Sequence, residues 1–139
     1  MFSIGVLSKK TGVKVPTIRY YEQIGLIEPP IRTEGNQRRY GEASFERLRF
    51  IKHARELGFS IEGIAALIEL NHHPDKSCAA ANDIARQQLA DIQTKIASLK
   101  RLEAELERIT NHCHGDGMVS DCYVLSSLAD HGKCVTEHL

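Results

Sequence analysis

Apolar positions along the chain recur with helical spacing in three stretches, separated by polar or proline-rich breaks. In "SIGVLSKKTG", Ser3 is placed to cap a helix carrying Ile4, Val6 and Leu7, and Gly12 stops it. "VKVPTIRYYEQIGL" follows with Pro16 at a first helical position, Ile18 and Tyr21 on the inner face, and Gly25 as terminator. Two short helices joined by a tight turn form a helix-turn-helix shape. The period then vanishes in "IEPPIRTEGNQRRYGEAS", which reads as an extended loop or short hairpin turning near Gly35 and Asn36. Helical spacing resumes with Phe45, Leu48, Ile51 and Ala54, then Ile61, Ile64, Leu67 and Ile68, two helices divided at Gly58, the second capped by Ser60. After "NHHPDKS", no Gly or Pro interrupts the run from Cys78 to Asn111. Ala85, Leu89, Ile92, Ile96, Leu99, Leu102, Leu106 and Ile109 recur there at steps of three and four, the seam of a coiled coil. One chain supplies no second helix of that length, so the seam predicts a symmetric homodimer.

Charge sharpens this mainly helical picture. The 139 residues balance eighteen basic against eighteen acidic side chains, yet residues 1–60 hold eleven Lys+Arg against six Asp+Glu, and residues 61–139 hold seven against twelve. A basic N-terminal half beside an acidic C-terminal half is the asymmetry of a nucleic-acid module joined to something else. Arg32, Arg38, Arg39 and Tyr40 make the loop after the helix pair a basic-aromatic wing suited to phosphates, and Arg47, Arg49, Lys52 and Arg55 extend the basic surface. No stretch approaches the ~18 apolar residues of a membrane span, and the start "MFSIGVLSKK" is unlike a signal peptide, so a cytoplasmic protein without a membrane partner is expected.

All four cysteines, Cys78, Cys113, Cys122 and Cys134, lie in the second half. In a reducing compartment such a cluster points to metal or redox chemistry. Cys78 and Cys113 stand thirty-five positions apart, on the order of 50 Å along an unbroken helix, whereas thiolates sharing one ion lie within several ångströms of each other. An antiparallel dimer reconciles the two, bringing Cys78 of one chain to the "NHCHGDGMVSDC" loop of the other. Cys78 is expected in the first turn of the long helix, where the helix dipole favours thiolate. Gly115 and Gly117 allow Cys113 and Cys122 to converge. Three thiolates suit a soft ion, whereas zinc prefers a fourth ligand, for which His114 is the first candidate, ahead of His112, Asp116 and Asp121. Other readings are inert thiols in a tail, a Cys113–Cys122 redox pair in an enzyme or thiol–disulfide protein, or a metal buffer. No catalytic cleft or base is evident, and a buffer leaves the basic wing without a use. Cys134 with His131, and His72 with His73, read as tail and linker residues.

"IGVLSKKTGVKVPTIRYYEQIGL", "RTEGNQRRY" and "RLRFIKHARELGFSIEGI" together resemble the MerR family of bacterial transcriptional regulators, over essentially the whole chain. The resemblance implies a winged helix-turn-helix DNA-binding domain with a linking helix pair (residues 1–70), a linker and antiparallel coiled-coil dimerisation helix (71–111), and a metal-binding loop and tail (112–139). It further implies that Thr17, Arg19 and Tyr20 face promoter DNA while Arg32, Gln37, Arg38 and Tyr40 contact its backbone. Several relatives carry an aromatic residue where this chain has Gln37. Family members sensing monovalent copper lack a thiol at the Cys78 position, so Cys78 argues for a divalent effector: zinc, cadmium, lead or mercury. In zinc-sensing relatives a second loop cysteine stands where this chain has His114, and the nine-residue spacing resembles the mercury-sensing pattern, with cadmium and lead sensors having similarly short loops. The implied activity is not enzymatic: repression without metal and, with metal, distortion of promoter DNA so that RNA polymerase engages an efflux or resistance promoter. A copper-type response, or less directly a cysteine-based redox response, is the alternative.

Overall fold

The computed structural model describes residues 1–130; Cys134 and His131 lie outside the described residues. The chain forms two compact units, Met1–Ala85 and Arg86–Leu139, and the boundary falls inside the long helix rather than at either of its ends.

In the first unit, α1 (Ile4–Thr11) begins at Ser3, whose hydroxyl accepts the Val6 N–H at 3.3 Å, and ends at Gly12 in the left-handed region, φ 75°. A side chain at Gly12 would be strained by that φ and would also meet the end of Lys52 at 2.4 Å. Helix α2 (Val15–Gln23) starts with Pro16 in its first turn, where the missing N–H costs nothing. The expected hairpin is present as β1 (Ile31–Arg32) antiparallel to β2 (Arg38–Arg39), with Ile31 opposite Arg39. Its turn is closed by the Asn36 N–H on the Thr33 carbonyl at 2.8 Å, with Asn36 at φ 58°. Asn tolerates that conformation better than other residues bearing a side chain. Phe2 pairs with Tyr40 through two 2.7 Å backbone hydrogen bonds, tying the chain start to the end of the wing.

Helices α3 (Glu42–Glu56) and α4 (Ile61–Asn71) follow, separated at Gly58. Leu7, Ile18, Leu48, Ile51 and Ile64 are completely buried and, with Val13, Tyr21, Leu26 and Ile27, join α1, α2, α3 and α4 in one core. Each such aliphatic side chain contributes about 1.5–3 kcal/mol, so the apolar periodicity of the sequence and this core have the same origin.

Helix α5 (Ala79–Asn111) runs 33 residues and spans the boundary between units. In the second unit its buried positions are Ser98, Glu105 and Ile109, a single face by their spacing, while Leu99 and Leu106 are about 60% exposed. The expected seam is thereby divided: Ile109 is covered within its own chain, whereas Leu89, Ile96, Leu99 and Leu106 remain open. After the loop come a single 3₁₀ turn (Val119–Asp121) and α6 (Tyr123–Ala129), a helix within the segment expected to be loop and tail.

Candidate functional site

Two groups of residues carry chemistry. The first is on α2 and the hairpin. Arg19 and Tyr20 are exposed on α2 and Thr17 is half-buried. On the hairpin, Arg32 and Arg38 are exposed; Arg32 Nη1 donates to Asn36 Oδ1 at 2.8 Å and Arg39 Nη2 to Gln37 Oε1 at 2.6 Å. Gln37 is thus engaged by a neighbouring guanidinium, which fixes the turn.

Tyr40 departs from expectation. It is 1% exposed, and its hydroxyl donates to Glu22 Oε1 of α2. Burial, then the hydrogen bond and charge of Glu22, raise the phenol pKa above its ordinary value, opposed by the positive charges of Arg38 and Arg19. Those two guanidinium groups, one from the wing and one from α2, therefore act on the same spot. The reason for the difference is that the backbone pairing with Phe2 turns the ring into the core; Tyr40 fastens the wing to α2 and leaves the open surface to Arg19, Tyr20 and Arg38.

The second group is the loop after α5. Cys113 and Cys122 bring their sulfurs to 3.8 Å, both partly buried. Two thiolates on one tetrahedral ion, with metal–sulfur bonds of ~2.3 Å, stand about 3.8 Å apart, whereas a disulfide requires ~2.05 Å. The separation is that of a thiol–thiol hydrogen bond, too long for a disulfide, and it equals the sulfur–sulfur edge that a shared ion would need. Between the two cysteines Gly115 takes the left-handed conformation, φ 75°, that favours glycine. Cys122 is the N-cap residue of α6, and the backbone N–H of Leu125 in particular holds its thiol pKa below the ordinary value; partial burial opposes this, and Cys113 and the Val124 N–H assist. Hydrogen-bond donation of this kind favours thiolate, the form that ligates metal.

His114 is exposed and lines the same small cavity, ≈ 280 Å³, as Cys113, Cys122, His112 and Asp116. Among the described residues, however, no three His, Cys, Asp or Glu side chains of the chain gather as a metal site. Within one chain His114 is therefore not brought to the two sulfurs. Cys78 stands just before α5 rather than in its first turn, its carbonyl accepting the Asn82 N–H at 2.9 Å, and it is exposed. Sequence reasoning also missed the residues that flank the thiols. Arg108 donates to the Tyr123 hydroxyl at 2.7 Å and to Glu105 at 3.0 Å, and the His112 and Tyr123 rings lie 4.6 Å apart. Glu105 and Arg108 at i, i+3 were the available signal, one too common on helices to single out.

No helix among the described residues is long and apolar enough to cross a membrane. A family model described as MerR HTH family regulatory protein matches residues 2–70, and one described as MerR, DNA binding matches residues 45–109. The chain is 40% identical over 130 residues to the HTH-type transcriptional regulator HmrR of Sinorhizobium medicae, covering 94% of this chain and 88% of that protein. It superposes with a TM-score of 0.78 on the lead(II) complex of the transcription regulator PbrR691 from Ralstonia metallidurans, 35% identical, covering 92% of this chain and 99% of that one. With the mercury(II) complex of a MerR regulator from Bacillus megaterium the TM-score is 0.70 at 32% identity, over 93% and 100% of the two chains. With its helix pair, hairpin wing and single long helix, the chain belongs to the MerR family of helix-turn-helix regulatory proteins.

Proposed function

We propose that this chain is a metal-responsive transcriptional regulator: a homodimer that binds promoter DNA and whose effector is a divalent ion of the zinc, cadmium, lead or mercury group. The observation that carries the reading is the 3.8 Å approach of Cys113 and Cys122 immediately after the long helix. Two thiols make half of a ligand set. The third, Cys78, stands at the opposite end of a 33-residue helix, about 50 Å long, so the set is completed by Cys78 of a partner in an antiparallel pair. The open apolar positions Leu89, Ile96, Leu99 and Leu106 give that pair its contact. The lead(II) and mercury(II) ions named for the two similar structures support a soft divalent effector.

Toward DNA, α2 supplies Thr17, Arg19 and Tyr20 and the wing supplies Arg32, Arg38 and Gln37, with Tyr40 holding the wing in place. Two such surfaces on a two-fold axis read a palindromic operator. The effector switches transcription only insofar as it binds the DNA-distorting state more tightly than the resting one. Bending an operator of about 20–30 base pairs costs about 1–6 kcal/mol, and the difference in effector affinity between the two states must supply that amount out of a ligation free energy of ~10–16 kcal/mol. RNA polymerase is the partner that reads the distortion.

A promoter–reporter strain challenged with zinc, cadmium, lead, mercury and copper salts tests this. Induction by one or more divalent ions is expected. Cys113→Ser is expected to lose induction while keeping operator binding in a gel shift. Induction by copper alone would overturn the effector class, and parallel loss of induction and operator binding in Cys113→Ser would overturn the role of the loop.

A further inference from the structure

The two loop sulfurs are joined only by a weak thiol–thiol contact at 3.8 Å, and the loop's backbone hydrogen bonds are local: Cys113 to Thr110, Asp121 to Met118 and Cys122 to Val119. What joins the two ends is a set of side chains. Tyr123, the residue after Cys122, meets the ring of His112, the residue before Cys113, at 4.6 Å. From the turn below, Arg108 Nη1 donates to the Tyr123 hydroxyl at 2.7 Å, its guanidinium carbon 5.9 Å from the ring centre. Arg108 Nη2 in turn donates to Glu105 at 3.0 Å, a carboxylate whose side chain is 5% exposed. The Arg108 Nε is buried without a hydrogen-bond partner among the described residues. The two Nη contacts consequently carry much of the positioning of this half-buried cation, whose side chain is 21% exposed.

We infer that Glu105, Arg108 and Tyr123 form a strut that holds α6 on α5 and sets Cys122 beside Cys113, making Arg108 and Tyr123 positioning residues for the effector site. This rests on the metal-responsive reading above. Neither residue needs to touch the ion. A site held near its productive geometry before loading spends less of its ligation free energy on ordering, and side chains that orient metal ligands typically alter affinity 10–100-fold. The strut also ties the thiol pair to the body of the long helix, so a change in the spacing of the two sulfurs is passed to Glu105, two turns down.

The test uses the full-length protein and cadmium(II) alone, titrated against a competing chelator and read by thiolate-to-cadmium charge-transfer absorbance. Tyr123→Phe keeps the ring contact and removes only the hydroxyl; Arg108→Gln removes the cation. Both variants are expected to bind cadmium about 10–100-fold more weakly. Both should retain wild-type absorbance per bound ion, because the sulfur ligands are unchanged, and wild-type operator binding without metal. The double variant should be no weaker than the weaker single one, as for two parts of one strut. Cadmium affinity within twofold of wild type in both single variants would overturn the strut and leave the effector reading intact. So would weakening accompanied by loss of operator binding, which marks a general folding defect. Absence of the band in wild type, or undiminished binding in Cys122→Ser, would overturn the effector reading and the strut with it.

Discussion

Tyr40 illustrates how much one side chain's direction matters. In sequence it completes a run of arginines and reads as a phosphate contact; in the structure its hydroxyl is committed to Glu22. Tyr40→Phe leaves the shape of the core intact but removes that bond, and is expected to cost about 0.5–1.5 kcal/mol in chemical denaturation, with a parallel weakening of operator binding as the wing loosens. The pH dependence has a defined sign. The folded pKa lies above the unfolded phenol value of ~10, so the contribution is complete below pH ~10 and is lost as pH rises towards the folded value. Denaturation at pH 8 and pH 11 should show wild type losing more stability than Tyr40→Phe; equal losses would contradict a phenol held protonated by burial and, after it, by Glu22.

At the scale of elements, local sequence rules account for most boundaries. Ser60 accepts the Gly63 N–H at 3.0 Å at the start of α4, and Ser60→Ala is expected to lower stability by about 1 kcal/mol, measurable as a shift in denaturation midpoint. Helix α6 escaped notice because seven residues give too few turns for a period to emerge, and its anchor is a contact between Tyr123 and Arg108, fifteen positions away. The long helix was legible as an amphipathic element, but which of its apolar positions face its own chain was not. Ile109 is covered and Leu106 is open, although both fit the same repeat. Replacing Leu99 and Leu106 by Glu should therefore leave the folded unit intact while shifting the protein from dimer to monomer in analytical ultracentrifugation, each buried leucine being worth about 1.5–3 kcal/mol. An unchanged dimer would place the contact elsewhere.

For the molecule as a whole, the proposed site is shared between two chains, and this has a genetic consequence. Cys78→Ser and Cys113→Ser should each abolish metal induction alone. Co-expressed, they form heterodimers in which one site has lost both residues and the other is intact, combining Cys78 of one chain with Cys113 and Cys122 of its partner. Metal induction should return in part, with about one effector ion per heterodimer by equilibrium dialysis. A site built within one chain would give no recovery.

The sequence by itself determined the elements and their order, because caps, left-handed turn residues and apolar spacing act over a few neighbouring residues, as Ser3, Gly12, Ser60 and the α2 and α3 faces demonstrate. It also indicated which cysteines could share an ion, since helix length alone separates Cys78 from Cys113. Only the tertiary structure decided where side chains point once distant segments meet. Pairing with Phe2 turned Tyr40 inward, the chain reversal after α5 brought two sulfurs to 3.8 Å, and the return of α6 put Tyr123 on Arg108. These contacts depend on how segments far apart in sequence fold back on one another, which local spacing does not encode.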